Sequence, residues 1–273
     1  MLFLVTLALG IVAVVGGLGG GTIFVPIVSG FFPFHLDFVR AAGLMVALSG
    51  ALAAGPELLR RNLADLRLAL PVALVTSGAA IVGAKIGLAL PTRPLQVALG
   101  GIVIAIMLVM LLARRAEFPE VSAGDRLSRV LGITGVYHEA SLGRLVEWQV
   151  RRMWPALGLF VLIGLMAGMF GIGAGWANVP VLNLVMGAPL KVAAGTSVFL
   201  LATTDTAAAW VYIHEGAVLP MIVVPSVMGT MIGARIGVRI LAIARPRSIR
   251  AIVVSVLAFA GVRLLLKGLG VWN

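Results

Sequence analysis

Two glycine-rich segments mark places where the backbone itself could do chemistry. Gly17-Leu18-Gly19-Gly20-Gly21 is followed by Pro26, and Gly171-Ile172-Gly173-Ala174-Gly175 by Pro180, with the last glycine five residues before the proline in both. A helix that restarts after such a break, near Thr22 and near Trp176, presents free N–H groups and the positive end of its dipole, an arrangement that favours an anion. Glycines also let membrane helices pack closely. Recurrence of the break with the same Gly-to-Pro spacing favours the anion reading over packing alone. Neither segment is a nucleotide cradle, because Gly17 to Thr22 lacks both the third glycine of GxGxxG and the Lys-Ser/Thr of a P-loop.

A few side chains could join the breaks. Lys85 and Arg235 each lie inside an apolar run, within Gly83-Ala-Lys-Ile-Gly87 and Gly233-Ala-Arg-Ile-Gly237, where a central basic residue costs about 2.5–3.5 kcal/mol on insertion scales. At 100° per residue each cation points about 200° from its flanking glycines, toward either a cavity or lipid. Asp205 is the acidic residue set well inside a span, beside Thr203, Thr204 and Thr206. It reads as a proton-coupling carboxylate, as a salt-bridge partner of Arg235, or as a hydrogen-bond partner of Trp210. Thr196, Ser197, Asn178 and Asn183 are polar groups able to line a site. His35, His138 and His214 fall near expected loops, and cysteine is absent, so no catalytic constellation, metal site or cofactor is expected.

The elements that position these residues follow from composition. Of 273 residues, 61% are hydrophobic and 11% charged, whereas a soluble domain has about a quarter of its residues charged. At roughly 20 apolar residues per span, the length allows about eight membrane segments and no sizeable soluble domain. The net charge of +11 then records loops held by the positive-inside rule rather than a nucleic-acid surface. The apolar start at Leu2 with no basic region before it does not read as a cleaved signal peptide. Trp148, Trp154, Trp210 and Tyr212 fall near span ends and read as interfacial anchors.

Eight apolar runs fall into two groups of four, giving a repeat over residues 1–112, a cytoplasmic linker over 113–153 and a second repeat over 154–273. The linker holds seven Arg and five acidic residues, and its stretch Leu142 to Trp154 reads as an amphipathic interfacial helix. The glycine breaks match at an offset of 154, Arg40-Ala-Ala-Gly43 and Val192-Ala-Ala-Gly195 at 152, and the Gly-Ala-(Lys/Arg)-Ile-Gly motifs at 150. The glycines cut the first and fifth runs into pieces of about 15 residues, each too short to cross a core ~30 Å thick. If both fold as re-entrant hairpins, 15 basic residues share one face and Arg40, Arg93, Arg263 and Lys267 the other; if both cross, the split falls to 12 against seven. The positive-inside rule prefers hairpins. The expected fold is thus an all-α polytopic membrane protein of two inverted repeats, each opening with a glycine-broken hairpin.

The duplicated Gly-x-Gly-(Gly/Ala)-Gly with its proline, the Ala-Ala-Gly that follows and the Gly-Ala-(Lys/Arg)-Ile-Gly resemble the sulfite exporter TauE/SafE family, also called the toluene sulfonate uptake permeases, over essentially the whole chain. The resemblance implies a multi-pass protein of the inner (cytoplasmic) membrane that moves sulfite, sulfoacetate or related organosulfonates. Carried onto this sequence, it places substrate binding at Gly17, Gly19, Gly20, Gly21 and Thr22 and at Gly171, Gly173, Ala174, Gly175 and Trp176, with Ala174 departing from the all-glycine pattern. Asn178, Thr196, Ser197, Lys85 and Arg235 complete the expected site, and Asp205 is the coupling candidate. The expected activity is export of a small sulfur-containing anion by alternating access, with the lipid bilayer as surroundings and no enzymatic step. Coupling to a proton or another ion, and homo-oligomerisation, stay open. The rival readings are an anion channel on the same scaffold and a non-transporting accessory subunit.

Overall fold

A computed structural model describes residues 1–16, 19–60, 64–112, 128, 132–139 and 144–241, with parts of 254–270. Its helices are α1 (Leu2–Gly16), α2 (Gly20–Phe31), α3 (Leu36–Arg60), α4 (Leu66–Ala89), α5 (Thr92–Leu112), α6 (Met153–Phe170), α7 (Gly175–Pro180), α8 (Leu190–His214) and α9 (Pro220–Leu241). A π-helical turn, Val181–Val185, continues α7, and strands β1 (Thr134–Glu139) and β2 (Arg144–Gln149) lie between α5 and α6. Gly17 and Leu18, and most of the 113–153 linker, lie outside the described residues. Among the described helices, Leu36–Arg60, Leu66–Ala89, Met153–Phe170, Val192–His214 and Pro220–Arg239 are long and apolar enough to cross a membrane.

Local chemistry sets several of the boundaries. Asp65 caps α4, its carboxylate accepting from the Leu68 N–H at 2.8 Å. The same helix stops at Ala89, where Leu90, just before Pro91, turns extended. Inside the first glycine break Gly19 has φ 78°, and inside the second Gly171 has φ 66° and Gly173 φ 70°, left-handed values that make glycine the residue of choice. Pro180 lacks an N–H to donate, and the backbone after it relaxes into the wider π turn.

The helices interlock across the two halves. α1, from the first half, packs along α9 of the second, and α6, from the second half, packs along α4 of the first, while α3 and α8 contact each other at the centre. Small residues permit these approaches. A Cβ on Gly10 would lie 2.7 Å from the Thr230 carbonyl oxygen. Gly164 lies as close to the Thr76 carbonyl, Gly83 to that of Leu165 and Gly168 to that of Ala80. The glycine face of α4 is therefore its buried face, as 100° per residue requires once Gly83 and Gly87 point inward.

Contacts between the halves repeat at one offset. Gly164 against Thr76 corresponds to Gly10 against Thr230, and Gly83 against Leu165 to Gly237 against Ile11. Gly19 against Leu201 corresponds to Gly173 against Ala47. The Thr204–Thr76 hydroxyl pair, at 3.0 Å, corresponds to Gly50 against the Thr230 methyl. Every member is displaced by 154, as are both ends of α3 and α8. The drift from 154 to 150 expected from motif matching is thus not how the helices superpose. A slip of four residues is about one helical turn and keeps glycines on the same face, so motif identity alone misses it.

Two further expectations change. The amphipathic helix expected over 142–154 is replaced by β2 up to Gln149, paired antiparallel with β1 in the register Gly135 to Trp148 and Val136 to Glu147, and α6 starts only at Met153. The alternation explains it: Trp148 and Val150 are buried while Glu147 and Gln149 are exposed, a period of two. The hairpin lies within the linker, and the membrane segments on either side are helical among the described residues. Trp154 and Trp210 are outward-facing, but Trp148 and Tyr212 are buried and so are not interfacial anchors.

The glycine packing predicts a contrast within α6. Gly168→Ala, whose Cβ meets the Ala80 carbonyl oxygen, should lose roughly 1–3 kcal/mol through overpacking. Gly158→Ala, with no neighbour within 4 Å, should be neutral or gain up to about 1 kcal/mol from helix propensity. Thermal unfolding of the detergent-purified variants measures both.

Candidate functional site

The two breaks meet in the middle of the helix bundle. Thr22, buried at the start of α2, donates its hydroxyl to the Ile172 carbonyl in the second break at 3.0 Å. A Cβ on Gly21 would lie 2.8 Å from the Gly43 carbonyl oxygen and 3.0 Å from that of Ile172. Gly43 in turn abuts the Gly171 carbonyl, and Gly171 abuts Arg40. The breaks and the first half of α3 thus form one closely packed knot in which the backbone groups of one break are answered by the other chain segments rather than by water.

Beside the first break lies a small, largely apolar cleft of about 20 Å³, room for roughly one water molecule. Gly19 and Gly20 form one wall, Ala47, Gly50 and Ala51 of α3 another, and Leu201 of α8 and Thr230 of α9 close it. The start of α2 borders this cleft at Gly19 and Gly20, and Gly19 supplies no side-chain cap. Beside the second break the corresponding space holds Asp205, whose Oδ2 would lie 3.2 Å from a Cβ on Gly173. At an offset of 154 its counterpart is Ala51.

The other expected site residues separate into two groups. Asn178 and Ser197 are buried, and Asn178 Oδ1 and Nδ2, Ser197 Oγ and Trp176 Nε1 have no hydrogen-bond partner among the described residues. Both Asp205 oxygens share that condition, so neither an Arg235 ion pair nor a Trp210 hydrogen bond forms; Trp210 is 67% exposed. Thr196 is committed elsewhere, its hydroxyl accepting from the Asp65 N–H at 3.1 Å. Asn183 donates to the Ala188 carbonyl at 2.9 Å, closing the turn after the π segment. Gly20, Gly21, Ala174 and Gly175 are buried at the breaks, and Gly17 lies outside the described residues.

Lys85 and Arg235 are exposed on the outer faces of α4 and α9. They are not repeat partners either: at the 154 offset Lys85 corresponds to Arg239, and Arg235 to Ile81. The expectation of two equivalent cations turned toward a central anion therefore fails. Both positions suit snorkelling, with the aliphatic stem along the apolar helix face and the charge carried outward.

The buried cation is instead Arg40, 1% exposed. Its position at the start of α3 read as a loop charge on the less basic face. The guanidinium donates to the Gly87 carbonyl at 3.0 Å and to the Met169 carbonyl at 2.9 Å, near the C-terminal ends of α4 and α6, where the negative dipole ends and free carbonyls favour a cation. It also pairs with Asp37 and sits 5.8 Å from the centroid of the Tyr212 ring, whose hydroxyl donates to the Gly168 carbonyl at 2.9 Å. One side chain ties α3, α4, α6 and α8 together next to the second break. The only local signal for it is Asp37 three residues earlier on the same helix face.

Two predictions follow from this placement. Arg40→Met, which leaves Asp37 and two helix-end carbonyls without their donor, should cost roughly 3–5 kcal/mol of stability, read as a fall in detergent melting temperature larger than that of Arg40→Lys. Lys85→Ala and Arg235→Ala should leave anion affinity within about twofold of the parent in a binding titration, because neither faces the breaks.

A family described as sulfite exporter TauE/SafE matches residues 2–264. No curated protein and no solved structure matches the chain. With five membrane-capable helices among the described residues and a family match over nearly its whole length, this is a multi-pass membrane protein that belongs to the sulfite exporter TauE/SafE family.

Proposed function

We propose that the chain is a secondary transporter that exports a small sulfur-containing anion, such as sulfite, sulfoacetate or a related organosulfonate, across the inner membrane by alternating access. Family membership supports the substrate class. The observation that carries the mechanism is the meeting of the two glycine breaks, joined by the Thr22 to Ile172 hydrogen bond. Non-helical backbone deep in a membrane is tolerated where it is buried in protein or lines a cavity, and broken helices at the midplane are how many transporters hold their substrates.

α1 has 15 residues and α2 has 12, about 22 and 18 Å at 1.5 Å per residue and short of a core ~30 Å thick. The pair is read as a re-entrant hairpin. A hairpin followed by three crossings puts the second repeat in the membrane upside down relative to the first. With α6 and α7 read as a second hairpin, although α6 alone has the 18 residues of a span, the 15 basic residues stay on the cytoplasmic face, with Arg93, Arg263 and Lys267 opposite and Arg40 buried. The reciprocal contacts at a 154 offset are what a pseudo-two-fold between inverted repeats would produce.

In this reading the anion sits against the first N–H groups of α2, at Gly19 to Thr22, in the cleft walled by Ala47, Gly50, Ala51 and Thr230. The cleft as it stands holds a water but not a sulfonate, so loading requires the α1–α2 hairpin and α9 to move relative to α3 and α8. That requirement favours a carrier over a pore. Flux of labelled sulfite and sulfoacetate in proteoliposomes is the test. Saturable exchange, reduced at least about tenfold by Ala51→Leu with the melting temperature maintained, is the expected result. Ohmic current would make it a channel, and absence of flux for both anions would leave an accessory role.

A further inference from the structure

We infer that Asp205 is a proton site coupled to the anion, so that each anion crosses together with one proton. The inference rests on the transporter reading above. Asp205 is wholly buried in α8, and neither of its carboxyl oxygens has a hydrogen-bond partner among the described residues. Its Oδ2 faces the tip of the second break at Gly173, and the same spot is bounded by Leu201 and Ala47. Those two residues also line the cleft beside the first break. A single layer of apolar side chains therefore separates the carboxyl from the space assigned to the anion.

The repeat sharpens this. Asp205 occupies the position that Ala51 holds in the other half, and Ala51 lines the open cleft. The two spaces are built from equivalent elements, and where Gly50 and Ala51 stand beside the first, Thr204 and Asp205 stand beside the second, so a carboxyl fills a position that is open in the other half. A packing role would be served by Ala, Val or Leu, and a structural ion pair would show a partner.

Among the described residues, nothing nearby neutralises an ionised Asp205. α1, α2, α6, α7 and the π turn contain no titratable side chain. On α3, Arg40 is engaged by Asp37 and two carbonyls, and Glu57 and Arg60 belong to its last turn. On α4, Asp65 caps the helix and Arg67 and Lys85 are exposed, as are Arg235 and Arg239 on α9. On α8 itself Lys191 and His214 stand at the ends, and Tyr212, two turns along, donates to Gly168. A buried carboxylate with no counter-charge and no donor is strongly unfavourable, so this packing accommodates the neutral acid. A metal cation does not fit, because Leu201 and Ala47 offer no side-chain oxygen where several ligands are needed.

The direction of coupling follows from charge. An anion in the cleft and an ionised Asp205 would be two negative charges in one low-dielectric compartment, whereas the anion and the neutral acid coexist. Each therefore promotes binding of the other, by linkage, and both leave together. The expected signature is anion affinity that weakens as pH rises, by up to about tenfold per pH unit once Asp205 ionises in the anion-free state.

The test uses the full chain in proteoliposomes with labelled sulfoacetate, whose charge stays constant near neutrality. Wild type should exchange internal for external anion and accumulate it when the anion-supplying side is more acidic. Asp205→Asn, isosteric and unable to ionise, should keep exchange, lose accumulation and show a flat pH profile. Asp205→Glu should regain accumulation with a shifted pH midpoint. Accumulation by Asp205→Asn at the wild-type level, or loss of exchange in that variant while it remains folded, overturns the inference. If Asp205→Asn does not fold, Asp205→Glu decides, and an unchanged pH profile in it overturns the inference. Wild-type exchange without any pH dependence removes the proton site alone. Absence of wild-type exchange for sulfoacetate and sulfite removes the transporter reading instead.

Discussion

Every amide and carbonyl exposed by a helix break must find a partner when no water is at hand, and that constraint organises this protein. The breaks at Gly19 and at Gly171 to Gly173 adopt left-handed backbone and would strand polar groups in an apolar interior. They are answered by each other through Thr22 and Ile172, and by Arg40, which collects the carbonyls of Gly87 and Met169. Close glycine contacts follow from the same requirement, since carbonyls can be reached only if backbones approach. Gly21 against Gly43 and Gly43 against Gly171 bring three backbones within contact distance. With interhelical hydrogen bonds in membranes worth typically below 1–2 kcal/mol each, it is the packing together with these hydrogen bonds that holds the knot.

Much of the architecture was legible in the residues, because the membrane imposes few alternatives. Apolar runs, the duplicated breaks and the glycine faces of α4 and α9 follow from length, period and residue size. Contacts set by distant partners were not. Arg40 sits where a loop charge would sit, and what internalises it are carbonyls 47 and 129 residues away. Lys85 and Arg235 share a motif, yet the structural equivalence is one helical turn from the motif match, a slip to which glycines spaced by four are blind. β2 was misread because the stretch from Leu145 to Val150 is short enough for an alternating pattern to pass as one face of a helix.

The interleaving of the halves has a mechanical consequence. Because α1 lies on α9 and α6 on α4, neither half forms a separate body that could rock as a unit. The elements that share tight glycine seams are α1 with α9 and α4 with α6, each seam made of one helix from each half. Two such pairs hinged about the α3–α8 crossing describe the available motion better than repeat against repeat.

Duplication supplies symmetry, and function here is read in where the symmetry fails. Ala47 and Leu201 are exchanged at the 154 offset: Leu201 lies against Gly19 and Gly173 and Ala47 against Gly173, and both line the cleft beside Gly19 and Gly20, so the centre is nearly self-equivalent. Arg40 has Ala194 as its counterpart, Asn178 has Phe24, and Asp205 has Ala51. The polar member of the first pair belongs to the first half, and those of the other two belong to the second. Arg40 accounts for itself by binding carbonyls, whereas Asn178 and Asp205 are buried in the second half without hydrogen-bond partners among the described residues. A polar group retained at one of two equivalent positions, where its apolar twin shows that an apolar residue packs, is not there for the fold; its missing partner is expected to be something that comes and goes.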